Sequence, residues 1–310
     1  MSGLSAGQPL FLWLHLPEYG MSARSILTGL VFVALWSSAF ATARVIVAHA
    51  PPLTALAFRF AISGLLAMAL ARALGQGWRL TRGQALSVLV FGLCQNAVYL
   101  GLNFIALQWV EASLAVIIAA TMPLLVAALG WAFKGERIST QAALGLAAGF
   151  LGVALIMGTR VSGGADPVGI VLCVLGALAL AVATLTIGGA ASGGNVLMVV
   201  GLQMLVGSAA LAVIAALTED WHFTPAPAFW AAFAWQIAGP GLAATLIWFR
   251  LVGEIGPIRA AAFHFLNPAF GVLVAVALLG ERVHGWDILG IAVTMIGILL
   301  VQRARIKAAG

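Results

Sequence analysis

Apolar runs of membrane-spanning length occupy almost the whole sequence, and no other feature restricts its fold as strongly. Each run is about 20 residues long, which is the length that an α-helix needs to cross a bilayer. Ten runs are bounded by charged residues, glycine or proline, at 26–49, 52–71, 84–109, 112–133, 141–158, 167–188, 195–217, 229–252, 257–279 and 286–302. Because the joints are short, the sequence predicts an all-α polytopic membrane protein of ten transmembrane helices without a soluble domain.

The composition supports this prediction and removes one alternative class of protein. The chain is 63% hydrophobic and only 8% charged, whereas about a quarter of the residues of a soluble domain are charged. The net charge of +6 comes from Lys and Arg residues that stand singly at the ends of apolar runs. That distribution is typical of membrane proteins. We therefore expect membrane lipid around the chain and no nucleic-acid partner.

Basic residues are unevenly divided between the two ends of the predicted helices. With the N-terminus inside the cell, the outer segments hold only Arg44, Arg160 and Arg282, and the inner segments hold nearly all the other Lys and Arg residues. The positive-inside rule then predicts that both termini are cytoplasmic. Residues 1–24, which precede the first helix, are assigned to an N-terminal extension.

Two similar motifs indicate an internal repeat. The first is Thr121-Met122-Pro123 followed by Gly135-Glu136-Arg137, and the second is Leu266-Asn267-Pro268 followed by Gly280-Glu281-Arg282. The prolines are 145 residues apart, and so are the glutamates. The sequence thus predicts two copies, at 25–159 and 160–310. Since each copy has five helices, an odd number, the second crosses the membrane in the opposite sense. Inverted repeats place a substrate site near the midplane and permit alternating access.

These features resemble a known family of membrane proteins. Leu35-Trp36-Ser37, Pro52 with Arg59-Phe60, and the doubled proline and Gly-Glu-Arg motif are similar to the EamA branch of the drug/metabolite transporter superfamily. The resemblance covers 25–302 and is strongest, among bacterial members, to YddG-type exporters of aromatic amino acids. It implies an inner-membrane carrier of amino acids or related metabolites whose first, third, fourth, sixth, eighth and ninth helices line a central cavity. It implies no cofactor and a monomer or weak homodimer.

The positions of the acidic residues bear on the driving force. All 9 Asp and Glu residues lie at or beyond predicted helix ends, whereas ion-coupled pumps usually carry a carboxylate at membrane depth. We therefore expect facilitated transport or exchange, with a proton-coupled drug or metabolite efflux carrier as the alternative. The chain has neither an H-E-x-x-H nor a G-x-S-x-G motif, so we expect neither a metal site nor an enzyme.

Polar and aromatic residues within the predicted helices are the candidates for a substrate cavity. Polar side chains that faced lipid would lack hydrogen-bond partners, so they are expected to point into the bundle. A midplane tryptophan lies away from the interfaces that tryptophan usually occupies. The candidates are Trp36, Ser37, Asn96, Tyr99, Asn103, Thr121, Trp235, Gln236, His264 and Asn267. Packing or interhelical hydrogen bonding remains the alternative for each of them.

Other residues are expected to shape the helices or to hold them together. Pro123 and Pro268 are expected to kink the repeat-related fourth and ninth helices. Glu136, Arg137, Glu281 and Arg282 mark helix ends, where capping and loop contacts are the expected roles. Arg59 is expected to snorkel or to pair with a helix-end carboxylate, with a substrate carboxylate as the alternative. Gly145-x-x-x-Gly149 and Gly290-x-x-x-Thr294 predict that the fifth helix crosses the tenth closely.

Overall fold

The computed structural model describes residues 22–135, 138–187, 195–256, 260 and 263–309. The described part of the chain consists of helices joined by short connections. The helices are α1 (Ala23–Val47), α2 (Pro52–Ala73), α3 (Arg82–Ala106), α4 (Ala112–Phe133), α5 (Thr140–Ser162), α6 (Pro167–Ile187), α7 (Val196–Thr218), α8 (Pro227–Ile255), α9 (Phe263–Leu279) and α10 (Gly285–Ala309). Residues 1–21 of the proposed extension lie outside the described residues.

Ten helices follow one another in the part of the chain that the structure describes, as the sequence predicts. Within the described ranges, nine helices are long and apolar enough to cross a membrane, and α9 is a shorter apolar helix. The predicted start of the ninth helix, at 257–262, lies mostly outside the described residues. The predicted all-α polytopic fold is confirmed.

The internal repeat is visible in where the helical segments begin and end. Segments in the first half recur 145 residues later: Arg82–Phe91 and Pro227–Gln236, the π-helical turns Gly92–Tyr99 and Ile237–Ala243, and Met122–Lys134 and Asn267–Leu279. Gly135 and Gly280 end the last pair in the left-handed conformation, with φ of 65° and 66°, which glycine adopts without steric cost. The two halves therefore share a backbone design.

Close glycine contacts join equivalent helices of the two copies. A methyl group added at Gly297 of α10 would lie 2.4 Å from the backbone nitrogen of Gly149 of α5, which confirms the predicted close crossing. In the same way, a methyl group at Gly64 of α2 would lie 2.9 Å from the carbonyl oxygen of Gly201 of α7. Small residues allow such close approach of helix backbones in a membrane.

Carboxylates cap helices at the end of the bundle where α1 ends and α10 begins, which we call the distal end. Glu281 accepts hydrogen bonds from the backbone N–H groups of Ala112 (2.8 Å) and Ser113 (3.0 Å) at the start of α4. Glu219 does the same for Leu53 and Thr54 at the start of α2. A negative charge at a helix N-terminus is favourable. Glu281 thus caps α4, whereas Glu136 and Arg137 lie outside the described residues.

Arg59 differs from the expectation drawn from the sequence. Its side chain is buried in α2, with the guanidinium carbon 4.8 Å from the centre of the Phe60 ring. None of the carboxylates that the structure describes lies within ion-pair distance, and the Nε atom has no hydrogen-bond partner among them or elsewhere in the described chain. Arg59 therefore pairs with none of the helix-end carboxylates that the structure describes, and two of these, Glu219 and Glu281, cap helices instead.

Candidate functional site

A small cavity lies inside the bundle, between α1, α3, α4, α6 and α9. Most of its wall is apolar or aromatic, and α4 contributes the largest share. The lining residues are Trp36, Phe40, Tyr99, Val116, Ala119, Ala120, Met122, Pro123, Leu180, His264 and Asn267. A mostly apolar and aromatic wall with a few polar groups is typical of a small-molecule site.

Both repeat-related helices that border the cavity are interrupted there. In α4 the helix breaks after Ala119 and resumes at Met122, and in α9 a short 3₁₀ turn gives way to regular helix at Asn267. Pro123 and Pro268 each occupy the second position of the resumed helix. A proline cannot donate a hydrogen bond to the carbonyl four residues earlier. Those carbonyls belong to Ala119 and His264, and both residues line the cavity.

The two breaks present different side chains to the same cavity. Ala119 and Met122 of α4 stand at the positions that His264 and Asn267 occupy in α9, 145 residues later, and all four line the cavity. One copy of the repeat thus contributes an apolar surface and the other contributes a polar one. The cavity therefore has a polar side and an apolar side.

Aromatic rings surround His264 on the polar side. The ring centres of Phe32, Trp36 and Trp248 lie 5.3, 6.1 and 5.2 Å from that of the imidazole. Phe32 and Trp36 meet the imidazole edge to face, with interplanar angles of 90° and 84°. Such contacts fix the orientation of a ring. The imidazole is therefore held in place by α1 and α8.

His264 and Asn267 are joined by a hydrogen bond. Asn267 Nδ2 lies 2.9 Å from His264 Nδ1, and the Ser37 hydroxyl donates to the backbone carbonyl of Asn267 at 3.4 Å. Asn267 is only 6% exposed, and its Oδ1 has no hydrogen-bond partner in the described part of the protein. A buried acceptor without a donor is costly, so this amide oxygen is ready to receive a donor from a ligand.

The α8 candidates contact α1 and do not line the cavity. Trp235 donates from Nε1 to the Ser38 hydroxyl at 2.8 Å. Gln236 is fully buried and donates from Nε2 to the carbonyl of Ala39 (2.6 Å) and the hydroxyl of Thr42 (3.0 Å). These bonds join the part of α8 just before its π-helical turn to α1, the helix that carries Trp36.

Two of the α3 candidates, Asn96 and Tyr99, lie within the π-helical turn, and Asn103 follows it. A π-helix has a wider turn than an α-helix, so spacings of three and four no longer keep side chains on one face. Tyr99 lines the cavity, whereas Asn96 packs against Gly207 of α7. Asn103 donates to the carbonyl of Tyr99 at 2.7 Å and lies beside α6.

Thr121 and Ser37 support the backbone at the two breaks. The Thr121 hydroxyl donates to the carbonyl of Ile118 at 2.6 Å, one turn back in the interrupted helix. Ser37 donates to Asn267 in the other break. Of the ten cavity candidates, Trp36, Tyr99, His264 and Asn267 line the cavity, and Pro123 does so as well.

Several cavity residues were not among the candidates. Phe40 follows Trp36 by one helical turn, and that spacing was a signal that both rings face the same way. Val116, Met122 and Leu180 are apolar residues in apolar helices, so no sequence signal distinguishes them from packing residues. Trp248, whose ring contacts His264, lies in the last segment of α8, near a helix end, where tryptophan is also common at the membrane interface.

Apart from Arg59 in α2, the charged side chains of the described chain lie at or near helix ends, and none of them lines the cavity. At the distal end, Arg160 of α5 bonds to Asp287 of α10 at 3.0 and 3.2 Å and also forms an ion pair with Glu111. Its Nη2 donates to the backbone carbonyl of Arg282 at 3.5 Å. Burial raises the pKa of the Glu111 carboxyl, and Arg160 opposes that shift. The cluster links α5, α10 and the start of α4.

Comparisons with known proteins agree with this architecture. Residues 23–158 and 167–303 each match the EamA-like transporter family. The chain is 30% identical over 298 residues to the uncharacterized transporter YdeK of Bacillus subtilis, a match that covers 90% of this chain and 96% of the relative. It is 25% identical to the uncharacterized transporter YvbV of the same organism, over 87% of this chain and 88% of that one.

Two further similarities concern location and fold. The uncharacterized inner membrane transporter YedA of Escherichia coli is 25% identical over 276 residues, which cover 86% of this chain and 87% of YedA. A solved crystal structure of a protein shares the fold, with a TM-score of 0.62 and 21% identity. That match covers 94% of this chain and 100% of the other.

Proposed function

The chain belongs to the EamA-like transporter family and is an integral protein of the inner membrane, and we propose that it exports small amphipathic metabolites. Amino acids with aromatic or large apolar side chains are the substrates that we favour. One observation carries the proposal: the cavity between the two helix breaks has an apolar side at Ala119 and Met122 and a polar side at His264 and Asn267. A molecule with an apolar body and a small polar head matches both sides.

Alternating access is the mechanism that we propose for this export. The copies at 25–159 and 160–310 would be inverted repeats that rock about the cavity, because each holds five helices. The close pairs α2 with α7 and α5 with α10 support this, since each joins equivalent helices of the two copies. With both termini cytoplasmic, as the basic residues predict, export would run toward the distal end.

Facilitated transport or exchange is the driving mode that we favour. The cavity wall, as far as the structure describes it, carries no carboxylate that would bind and release a proton. The alternative is a proton-coupled efflux carrier for drugs or metabolites. The presence of His264 in the cavity wall favours it, because a free imidazole titrates near neutral pH. Membership of a transporter family supports transport over an enzymatic role. The partners are then the transported molecule and membrane lipid, for a monomer or a weak homodimer.

Uptake into liposomes reconstituted with the purified protein tests this proposal. We expect saturable uptake and counterflow of at least one labelled aromatic or large apolar amino acid, with no dependence on an imposed pH gradient. Uptake that follows the gradient in the parent protein, and loses that dependence in a His264→Gln variant, would replace the facilitated mode by proton coupling. Absence of flux for every amino acid in the panel would reject the proposed substrates.

A further inference from the structure

We propose that the His264–Asn267 pair anchors the polar head of the transported molecule and selects a head that carries no net charge and offers both an acceptor and a donor. The α-amino acid zwitterion is the smallest common group of this kind. This inference rests on the proposed function of the cavity. It adds a specificity rule for the substrate and assigns that rule to two side chains.

The hydrogen bond between the two side chains fixes what each offers to a ligand. Because Asn267 Nδ2 donates to His264 Nδ1 at 2.9 Å, the proton of the neutral imidazole is on Nε2. Nε2 is then a donor, and it has no hydrogen-bond partner among the residues that the structure describes. Asn267 Oδ1 is a buried acceptor that lacks a donor within the same residues. The pair therefore presents one donor and one acceptor, three residues apart, on the interrupted part of α9.

Both groups are held rigidly. The imidazole is enclosed by the rings of Phe32, Trp36 and Trp248. The backbone of Asn267 accepts the Ser37 hydroxyl, and Pro268 fixes the backbone angle that follows it. A preorganised donor and acceptor bind a matching ligand without the loss of side-chain freedom that mobile groups would incur.

The charge of the wall restricts the charge of the ligand. No lining residue in the described chain is a carboxylate, a lysine or an arginine. The buried cation Arg59 is not among the residues that line the cavity. A ligand with one net charge would bring that charge into an apolar enclosure without a counter-charge, which is unfavourable.

A zwitterion satisfies the pair without a net charge. Its carboxylate accepts from His264 Nε2, and its ammonium group donates to Asn267 Oδ1 and faces the ring of Trp36 or Tyr99. Its side chain then points to the opposite wall, at Ala119 and Met122. The head and the body of the ligand thus contact different copies of the repeat.

Competition binding to the purified full-length protein tests the specificity rule. A labelled panel first identifies the best-bound amino acid, with L-phenylalanine and L-leucine included. That ligand is then compared with its carboxamide, which lacks the carboxylate and is a cation, and with its N-acetyl derivative, which lacks the ammonium group and is an anion. We expect each derivative to compete at least about tenfold more weakly, because each loses a hydrogen bond to a charged group.

Two variants assign the preference to the two side chains. In His264→Phe, which keeps an aromatic ring but loses the donor, the preference for the carboxylate over the carboxamide should fall several-fold, leaving only the part caused by the net charge of the carboxamide. In Asn267→Leu the preference for the free ammonium group over the N-acetyl group should fall in the same way. His222→Phe, in the exposed connection between α7 and α8, is the matched control and should retain both preferences.

The outcomes separate this inference from the proposed function. Saturable uptake of an amino acid, together with equal competition by its carboxamide and N-acetyl derivative, would overturn the specificity rule and leave the transporter standing. Retention of both preferences in the folded variants would equally overturn it. If no amino acid is bound or taken up, the proposed function and this inference fail together. The ligand comparison on the parent protein needs no variant, so it decides the matter even where a variant does not fold.

Discussion

Removing the guanidinium of Arg160 should destabilise the fold strongly, because it leaves a buried carboxylate without its cation. Asp287 is 1% exposed and the Arg160 side chain 9%. The two are joined by hydrogen bonds of 3.0 and 3.2 Å. In an Arg160→Met variant, the described contacts of Asp287 reduce to those from His284.

The magnitude follows from the two lost charge-assisted hydrogen bonds. Each is worth about 1.5–3 kcal/mol, and loss of one partner of a buried ion pair typically costs about 3–5 kcal/mol. We therefore expect Arg160→Met to lower the free energy of unfolding by about 3–5 kcal/mol. Glu111→Gln should cost much less, because the Glu111 side chain is 44% exposed and water can replace its cation.

Equilibrium unfolding in mixed micelles of mild detergent and dodecyl sulfate, followed by tryptophan fluorescence, measures this difference. A double variant, Arg160→Met with Asp287→Leu, should recover most of the loss, because an apolar pair of similar size leaves no buried charge. Arg250→Met is the matched control, since its ion pair with Glu254 joins two exposed residues of one helix. A loss below about 1 kcal/mol for Arg160→Met, or one no larger than that of Arg250→Met, would refute the reasoning.

Three further substitutions test the cavity, the helix crossing and the buried cation. Trp36→Ala should lower amino-acid uptake at least about tenfold at unchanged yield of folded protein. Trp230, which is 56% exposed and lies outside the cavity, is the control, and Trp230→Ala should leave uptake unchanged. Equal uptake by the two variants would show that Trp36 is not part of the site. Gly297→Leu should abolish the folded monodisperse peak in size-exclusion chromatography, because its Cβ would meet the backbone of α5 at 2.4 Å. Gly158→Leu, which meets nothing within 4 Å, should retain that peak. Arg59→Met should keep or raise the free energy of unfolding, because it removes a buried charge without a described counter-ion. A decrease in that free energy of more than about 2 kcal/mol would show that Arg59 has a stabilising partner.

The sequence predicted the helices and the repeat because both depend on residue types that act locally. Length and apolarity decide which segments span a membrane. Proline has the same effect on a helix wherever it stands, so the pair Pro123 and Pro268 predicted two breaks at equivalent positions, and both breaks are present. Glycine likewise predicted the crossing of α5 with α10.

The direction of each side chain around its helix axis was harder to predict. α-Helical spacing would place Asn96 and Tyr99 on one face, but both lie within a π-helical turn, where residues three apart point in different directions. Gln236 was expected in the cavity because it is polar, yet its Nε2 donates a hydrogen bond to a backbone carbonyl of α1. In an all-apolar bundle, a polar residue signals only that it faces another helix, and the choice among neighbouring helices depends on packing over the whole fold.

The two copies of the repeat carry different side chains at the cavity, and this difference determines how a ligand can bind. The shared backbone brings two helix breaks to one cavity, and identical side chains there would give a cavity with two equivalent orientations for a ligand. Instead, His264 and Asn267 replace the apolar pair Ala119 and Met122 of the other copy. The equivalence is lost, and an amphipathic ligand has one favourable orientation, with its head on α9 and its body on α4. In the proposed mechanism, the two copies move relative to each other while each remains in contact with a different end of the ligand. A ligand that contacts both copies then couples their movements. Substrates too short to contact both copies should therefore be transported poorly.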